Sequence, residues 1–283
     1  VNTKVNQPKS PERTRKILIS GILTITLLFF LAPVLLVIIN SLKNEAEFYA
    51  RGPLSWPLKP TFDIIQQAWV KTEFSTKLVN SLIISLSVTA LGLIISVFNA
   101  FAIGIGRIKW EKLFLIFFIF AMTVPQEALA YPLYYLMKSI GLYDSKLAVI
   151  IILSVLQAAY GTYLLSTVFR TFPMALLEAA KLDGCNKWQI LRMVVTINIP
   201  AISVLLVFFF IWTWNEFFLP LIFLVSNSNQ TVPIAVMLFQ GQYTGDATMQ
   251  SACALLGILP CIIFYLIFQR TLTRGVISGG VKG

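Results

Sequence analysis

Residues 17–39 read ILISGILTITLLFFLAPVLLVII, a run without Asp, Glu, Lys or Arg. A helix needs about 20 such residues to cross the hydrocarbon core of a bilayer, so this stretch predicts a transmembrane helix. It is too long for the apolar core of a signal peptide and shows no small-residue cleavage site, and so it reads as a retained anchor. Five further stretches reach spanning length: residues 82–105, 113–137, 147–169, 199–225 and 247–268. Pro125, Glu127 and Pro132 interrupt the third, and Asn215 and Glu216 the fifth. The expectation is an all-α integral membrane protein, a single domain of six transmembrane helices with tails at 1–16 and 269–283.

Composition agrees. Of 283 residues, 57% are hydrophobic and 12% charged, and the mean hydropathy is +0.81. A soluble domain carries about 25% charged residues because its surface stays in water. The net charge of +10 comes from 22 basic and 12 acidic side chains. These bases lie between apolar runs and form no face interleaved with aromatics, so nucleic acid is not an expected partner. Topology signals and anionic lipid headgroups account for them better. There is no histidine, and Cys185, Cys253 and Cys261 show no CxxC spacing. Neither a disulfide scaffold nor a His/Cys metal site is expected.

Orientation follows from the basic residues. The N-terminal tail, the loops after spans two and four, and the C-terminal tail together hold fifteen Lys and Arg, and the opposite side holds seven. Positive residues stay inside, which places both termini in the cytosol, as an even number of spans requires. The long first external loop, residues 41–80, contains Pro53, Pro57 and Pro60, which break helix continuity. Trp56 and Trp69 suit the headgroup level.

The loop after span four, residues 172–198, is too long for a plain connector between helices. Pro173 fits a first helical turn, residues 174–182 are good helix formers, and Gly184 suits a left-handed stop. Asn186 and Gln189 have the spacing of a capping box that opens a second helix over 187–195. Leu176, Leu177 and Ala180 share one face, with Glu178, Lys181 and Asp183 around it. Such a helix fits a groove on a partner protein or lies on lipid, and the residues alone leave both open.

The run Glu178-Ala179-Ala180-Lys181-Leu182-Asp183-Gly184, continued by Trp188-Gln189-Ile190, resembles the EAA-x-x-DG signature of ABC importer permeases. Other pieces are similar to the carbohydrate-uptake, maltose-type branch of binding-protein-dependent transport inner-membrane components. They are Ser41-Leu42-Lys43 with Glu45 and Glu47, Asn80-Ser81-Leu82, Thr123-Val124-Pro125-Gln126, Gly141-Leu142-Tyr143-Asp144, Trp214-Asn215-Glu216-Phe217, Phe239-Gln240-Gly241-Gln242-Tyr243 and the glycine-rich ending from Gly275 to Gly283. The resemblance covers nearly the whole chain. It implies that the loop after span four is a coupling helix inserted into a cytosolic ATPase, with Leu177, Glu178, Ala179, Ala180, Asp183, Gly184 and Trp188 at the contact. It also implies a second permease subunit, two ATPase subunits that carry ATP and Mg, an extracytoplasmic solute-binding protein, and a bacterial or archaeal cytoplasmic membrane. One departure stands out: Ile197 occupies the position where the family usually has proline, and Pro200 follows. The tail from Gly275 is either a frayed end or a strand that reaches the ATPase, and the resemblance favours contact.

No GxxxxGK[ST] phosphate loop occurs, so no nucleotide cofactor is expected on this chain. Polar residues inside spans are candidates for the solute pathway, because they are costly against lipid. These are Glu216 and Asn215 beside Trp214, then Glu127, Gln157 and Asn99. They serve equally as hydrogen bonds between helices. Gly161 and Gly257 suit close helix approach. The expected function is that of a permease subunit in an ATP-driven importer of a sugar, an oligosaccharide or a sugar-like solute. An ion-coupled secondary transporter would show inverted repeats around midplane charges, and a membrane anchor would lack polar interior residues.

Overall fold

The computed structural model describes residues 11–106, 108–239 and 245–280, with side chains from 15 to 269. Lys4, Lys9, Arg107, Gln240-Gly241-Gln242-Tyr243, Val281, Lys282 and Gly283 lie outside the described residues. Among the described residues every regular element is a helix. Helix α1 covers Pro11–Ser41, α2 Glu45–Arg51, α3 Asp63–Lys71 and α4 Phe74–Ala100, which runs into a π turn at Phe101–Ile105. Then come α5 Glu111–Thr123, α6 Gln126–Ser139 and α7 Lys146–Arg170. Helices α8 Met174–Leu182, α9 Lys187–Ile197, α10 Ile199–Asn215 and α11 Phe218–Phe223 follow. A 3₁₀ turn at Asn227–Asn229, α12 Val232–Met237 and α13 Ala247–Gly280 complete the chain.

Four helices are long and apolar enough to cross a membrane: Arg15–Ser41, Phe74–Ile105, Lys146–Arg170 and Ala247–Gln269. The count rises to six only if each of two bent pairs is one span. These are α5 with α6, bent by 95°, and α9 with α10, bent by 75°. The expected third span, 113–137, is therefore an elbow. Val124, ahead of Pro125, is extended with ψ 121, as a residue before proline prefers, and the helix restarts at Gln126.

The fifth span, expected as 199–225, is also corrected: α10 stops at Asn215. A helix running through to Pro220 would set that ring against the carbonyl of Glu216, four residues back, and lose a hydrogen bond. Glu216 is accordingly extended, with ψ 122. The second span starts at Phe74, eight residues before the expected 82, so Lys77 and Asn80 are helical and buried. Helix α13 runs on to Gly280, well past the expected end at 268, so the glycine-rich tail is helical over its described residues, Gly275 to Gly280.

Helices α4 and α7 form the central pair, with α10 against them. Small residues allow this approach. A Cβ placed on Gly161 would collide with Ser96 Oγ and lie 2.9 Å from Phe209 Cζ. The expected close contact at Gly257 is present too, where a Cβ would meet Val232 Cγ1 at 3.0 Å. Hydroxyls along the seam donate to the carbonyl one turn back, as Ser96 Oγ does to Gly92 O at 2.6 Å and Thr89 Oγ1 to Ser85 O at 2.7 Å. These two are thereby satisfied without water, whereas Ser154 Oγ of α7 is buried without a partner. Helix α1 packs mainly on α13 and leaves Phe29 and Phe30 outward, 76% and 69% exposed, a surface suited to lipid.

At one end of the α4–α7 pair a polar knot holds residues 226–232. Lys77 Nζ donates to Asn227 Oδ1 at 2.7 Å and to its carbonyl at 3.2 Å. Asn80 Nδ2 donates to the carbonyls of Ser228 and Gln230, and Lys146 Nζ donates to Asn80 Oδ1 at 2.8 Å. Asp144, left-handed at φ 57, accepts from the Ser226 hydroxyl and from the Ser226 N–H at 3.0 Å. The Ser226 hydroxyl, then its backbone N–H, holds the Asp144 carboxyl below its ordinary pKa. Nearby in the same loop layer, Lys43 is buried, and its ammonium donates to Asn40 Oδ1 at 3.0 Å and to the carbonyls of Gly52 and Pro53.

Two outcomes follow. Gly161→Val overpacks the α4–α7–α10 contact and lowers stability by about 1–3 kcal/mol, read as a lower melting temperature in detergent. Asp144→Asn lowers the melting temperature at neutral pH. Because the folded-state pKa of Asp144 is depressed, its contribution is present above the ordinary carboxylate pKa of about 4 and is lost as pH falls through the folded value. The difference between the two proteins therefore closes in acid.

Candidate functional site

The segment after α7 folds as the sequence predicts in its turns and caps. Pro173 stands just before α8 with φ −60 and ψ 121, so it caps the helix and does not occupy its first turn. Gly184 adopts φ 75, a conformation that suits glycine, and Cys185 N–H reaches back to Ala180 O at 2.9 Å, a Schellman closure. The capping box is present: Gln189 N–H donates to Asn186 Oδ1 at 3.0 Å, and Asn186 N–H donates to Gln189 Oε1 at 2.7 Å. Helix α9 continues to Ile197, two residues beyond expectation. Asn198 closes it by donating its side-chain amide to Val194 O at 2.8 Å, and Pro200 sits in the first turn of α10. The bend therefore falls one residue after the usual proline position.

Which face of α8 is free differs from expectation. Leu177 and Ala180 are buried within this chain, in one apolar cluster with Ile190 and Val194 of α9, Leu165 and Phe169 of α7, and Leu205 and Phe209 of α10. Leu176 points away and is exposed. The ends of the spans and the apolar stripe of α9 cover Leu177 and Ala180 without any partner. Glu178, Ala179, Asp183 and Gly184 lie on the outer surface. Met174 and Leu182, one turn before and one turn after Glu178 on the same stripe, are outward as well, Leu182 at 88% exposure. Trp188 is exposed and meets Phe98 of α4 edge-on at 5.8 Å. Sequence reasoning missed Met174 and Leu182, because helical spacing groups side chains into faces without saying which face the rest of the chain covers.

A second cluster sits where the helices break. Glu216 is buried, with both carboxyl oxygens engaged: Gln126 Nε2 donates to one at 3.1 Å and Leu219 N–H to the other at 3.1 Å. Glu216 thus closes the first turn of α11 and ties the α10–α11 break to the α5–α6 elbow. Gln126 was missed as a site residue. The signal for it was its place as the first helical residue after a proline break.

The other pathway candidates divide. Trp214 is buried and donates Nε1–H to Gly257 O at 3.0 Å. Gln157 donates to Thr213 Oγ1 at 2.7 Å and leaves its Oε1 without a hydrogen bond. Asn99 donates to Thr162 Oγ1 at 3.3 Å. Asn215 and Glu127 are exposed. Asn215 borders a cavity of about 490 Å³ between α10, α12 and α13, with Trp214, Phe217 and Met237 among its walls. Among the described residues no three His, Cys, Asp or Glu side chains gather as a metal site, and the three cysteines are free thiols.

Residues 92–278 match the family described as binding-protein-dependent transport system inner membrane component. The sulfoquinovosyl glycerol transport system permease protein of Agrobacterium fabrum is 32% identical over 255 residues, 89% of each chain. The trehalose transport system permease protein of Mycobacterium tuberculosis is 30% identical over 263 residues, which cover 92% of this chain and 95% of that one. Among solved structures, a bacterial ABC transporter that imports the acidic polysaccharide alginate superposes with a TM-score of 0.78 at 21% identity. The match covers 94% of this chain and 99% of that one, and it shows a shared fold.

Hydrogen bonds between membrane helices average about 0.6 kcal/mol, so the Gln126–Glu216 contact sets geometry more than it adds stability. Gln126→Ala is expected to lower stability by about 1 kcal/mol or less while it reduces transport. Melting in detergent and uptake by the reconstituted complex check the two halves separately.

Proposed function

The chain belongs to the family of binding-protein-dependent transport system inner membrane components, and from that membership we propose that α8 and α9 are the site a nucleotide-hydrolysing partner grips. The chain is a transport subunit of an ABC importer, in which ATP hydrolysis belongs to a separate ATPase. The observation that carries the docking reading is the seating of α8: one face locked into the chain's own core, the edge with Glu178, Ala179, Asp183 and Gly184 turned outward. A docking element that transmits force needs both. With Leu177 and Ala180 packed against α7, α9 and α10, a displacement of α8 carries the span ends with it.

In this reading two ATPases hold ATP and Mg beneath two permease subunits, of which this chain is one, and an extracytoplasmic binding protein delivers the solute. Closure of the ATPase dimer moves α8, and the bundle shifts between inward- and outward-facing states. Coupling is the difference in contact energy that the two ends make in those states. The basic-residue distribution supports cytosolic termini and a cytosolic coupling segment. A sugar or sugar-like solute is supported by the relatives, whose names specify a sulfoquinovosyl glycerol and trehalose. We place Asn215 and Glu127 on the pathway, because their side chains are exposed. Trp214, Gln157 and Asn99 join helices, and Glu216 holds the breaks in register.

Glu178→Arg is expected to weaken copurification of the ATPase about tenfold, equivalent to about 1.4 kcal/mol. Gly184→Pro, which cannot adopt the required positive φ, uncouples ATP hydrolysis from uptake. Full coupling in the doubly substituted complex, measured as solute moved per ATP, would overturn the docking assignment.

A further inference from the structure

The spans Phe74–Ile105 and Lys146–Arg170 end, and helix α5 begins, at one corner of the molecule. The corner lies at a membrane face whichever way the chain is oriented. Gly104 draws the π turn tight against α7, since a Cβ there would be 3.0 Å from both Phe169 Cβ and Ser166 O. The chain then swings away through Trp110 before α5, and a cavity of about 850 Å³ is left open between the two. Among its described lining residues, Lys109, Lys112 and Arg170 carry positive groups and Glu111 a carboxylate. Arg170 bridges to Glu111 at 3.2 Å, which joins the two sides of the corner and largely cancels that pair. Lys109 and Lys112 remain as the net charge of the described lining, with the Lys109 ammonium 5.9 Å from the Trp110 ring centre.

We propose that this corner binds the phosphodiester headgroup of an anionic phospholipid. The two lysines give the cavity a net positive charge, opposite in sign to the single negative charge of a phosphodiester. Ile108 and Leu113 give the cavity an apolar wall, and the outward Phe114 and Phe117 of α5, 46% and 62% exposed, continue that surface along the helix where acyl chains would lie. Trp110, 61% exposed, has the amphipathic ring that favours the headgroup layer. A soluble phosphate would use the charges and leave the apolar wall idle, so the geometry favours the lipid-borne group. Basic pockets between membrane helices hold acidic headgroups in this way.

The test is native mass spectrometry on the delipidated importer complex, titrated separately with phosphatidylglycerol, phosphatidylcholine and glycerol 3-phosphate. Phosphatidylglycerol is expected to bind in preference to phosphatidylcholine, with glycerol 3-phosphate failing to displace it at equal concentration. Lys109→Ala with Lys112→Ala should weaken the phosphatidylglycerol adduct roughly 10- to 30-fold. Lys109→Arg with Lys112→Arg should retain it, and an unchanged melting temperature in both variants separates lost binding from lost folding. Equal retention of the two lipids, or wild-type retention by the double alanine variant, overturns the proposal. Displacement by glycerol 3-phosphate would show a free-phosphate site and overturns it as well.

Discussion

Leu177 and Ala180 of α8 rest against Phe169 and Leu165 of α7, Val194 of α9 and Phe209 of α10, and the use of the chain depends on that contact. Burial of a leucine side chain is worth about 1.5–3 kcal/mol. A short helix joined to the bundle only by loops would otherwise move independently of it. Seated on the ends of the spans, α8 becomes part of the same solid as α7 and α10, and α4 joins them through Gly161, Ser96 and Phe209. The cluster therefore does for Leu177 and Ala180 what a partner groove was expected to do, and it leaves the opposite edge of α8 exposed.

Prolines decide where this solid can bend. The helices break just ahead of Pro125 and Pro220, where each ring would meet the carbonyl four residues back, and the two breaks are joined through Gln126 and Glu216. An irregular backbone at membrane depth is tolerated where protein or a cavity covers it. Here Glu216 supplies that cover by accepting the Leu219 N–H that a broken helix leaves unpaired. The same carboxyl group that makes residue 216 conspicuous in an apolar run is thus consumed in holding the fold. Asn215, its neighbour, is the one turned outward.

At the far end of the α4–α7 pair the stabilising principle changes from apolar packing to hydrogen bonding. Lys77, Asn80 and Asp144 bind the backbone and amides of residues 226–230. A loop of polar residues is thereby tied to the helix ends, although Gln230 Oε1 and Thr231 Oγ1 stay without a hydrogen bond.

Much of this was legible in residue order, because the interactions concerned are local. Apolar runs located the membrane helices, Gly184 and the Asn186–Gln189 pair located the turn and cap of the segment after α7, and Pro125 located the elbow. The EAA run pointed to the family before any fold was known. Tertiary structure alone decided which side of α8 faces inward, that Lys77 and Asn80 are buried inside a helix, and that Gln126 reaches Glu216. Each of those depends on groups far apart in the chain, up to 150 residues for Lys77 and Asn227. Periodicity and composition describe what a segment can bury or bond, but which distant segment answers it is settled only when the chain folds.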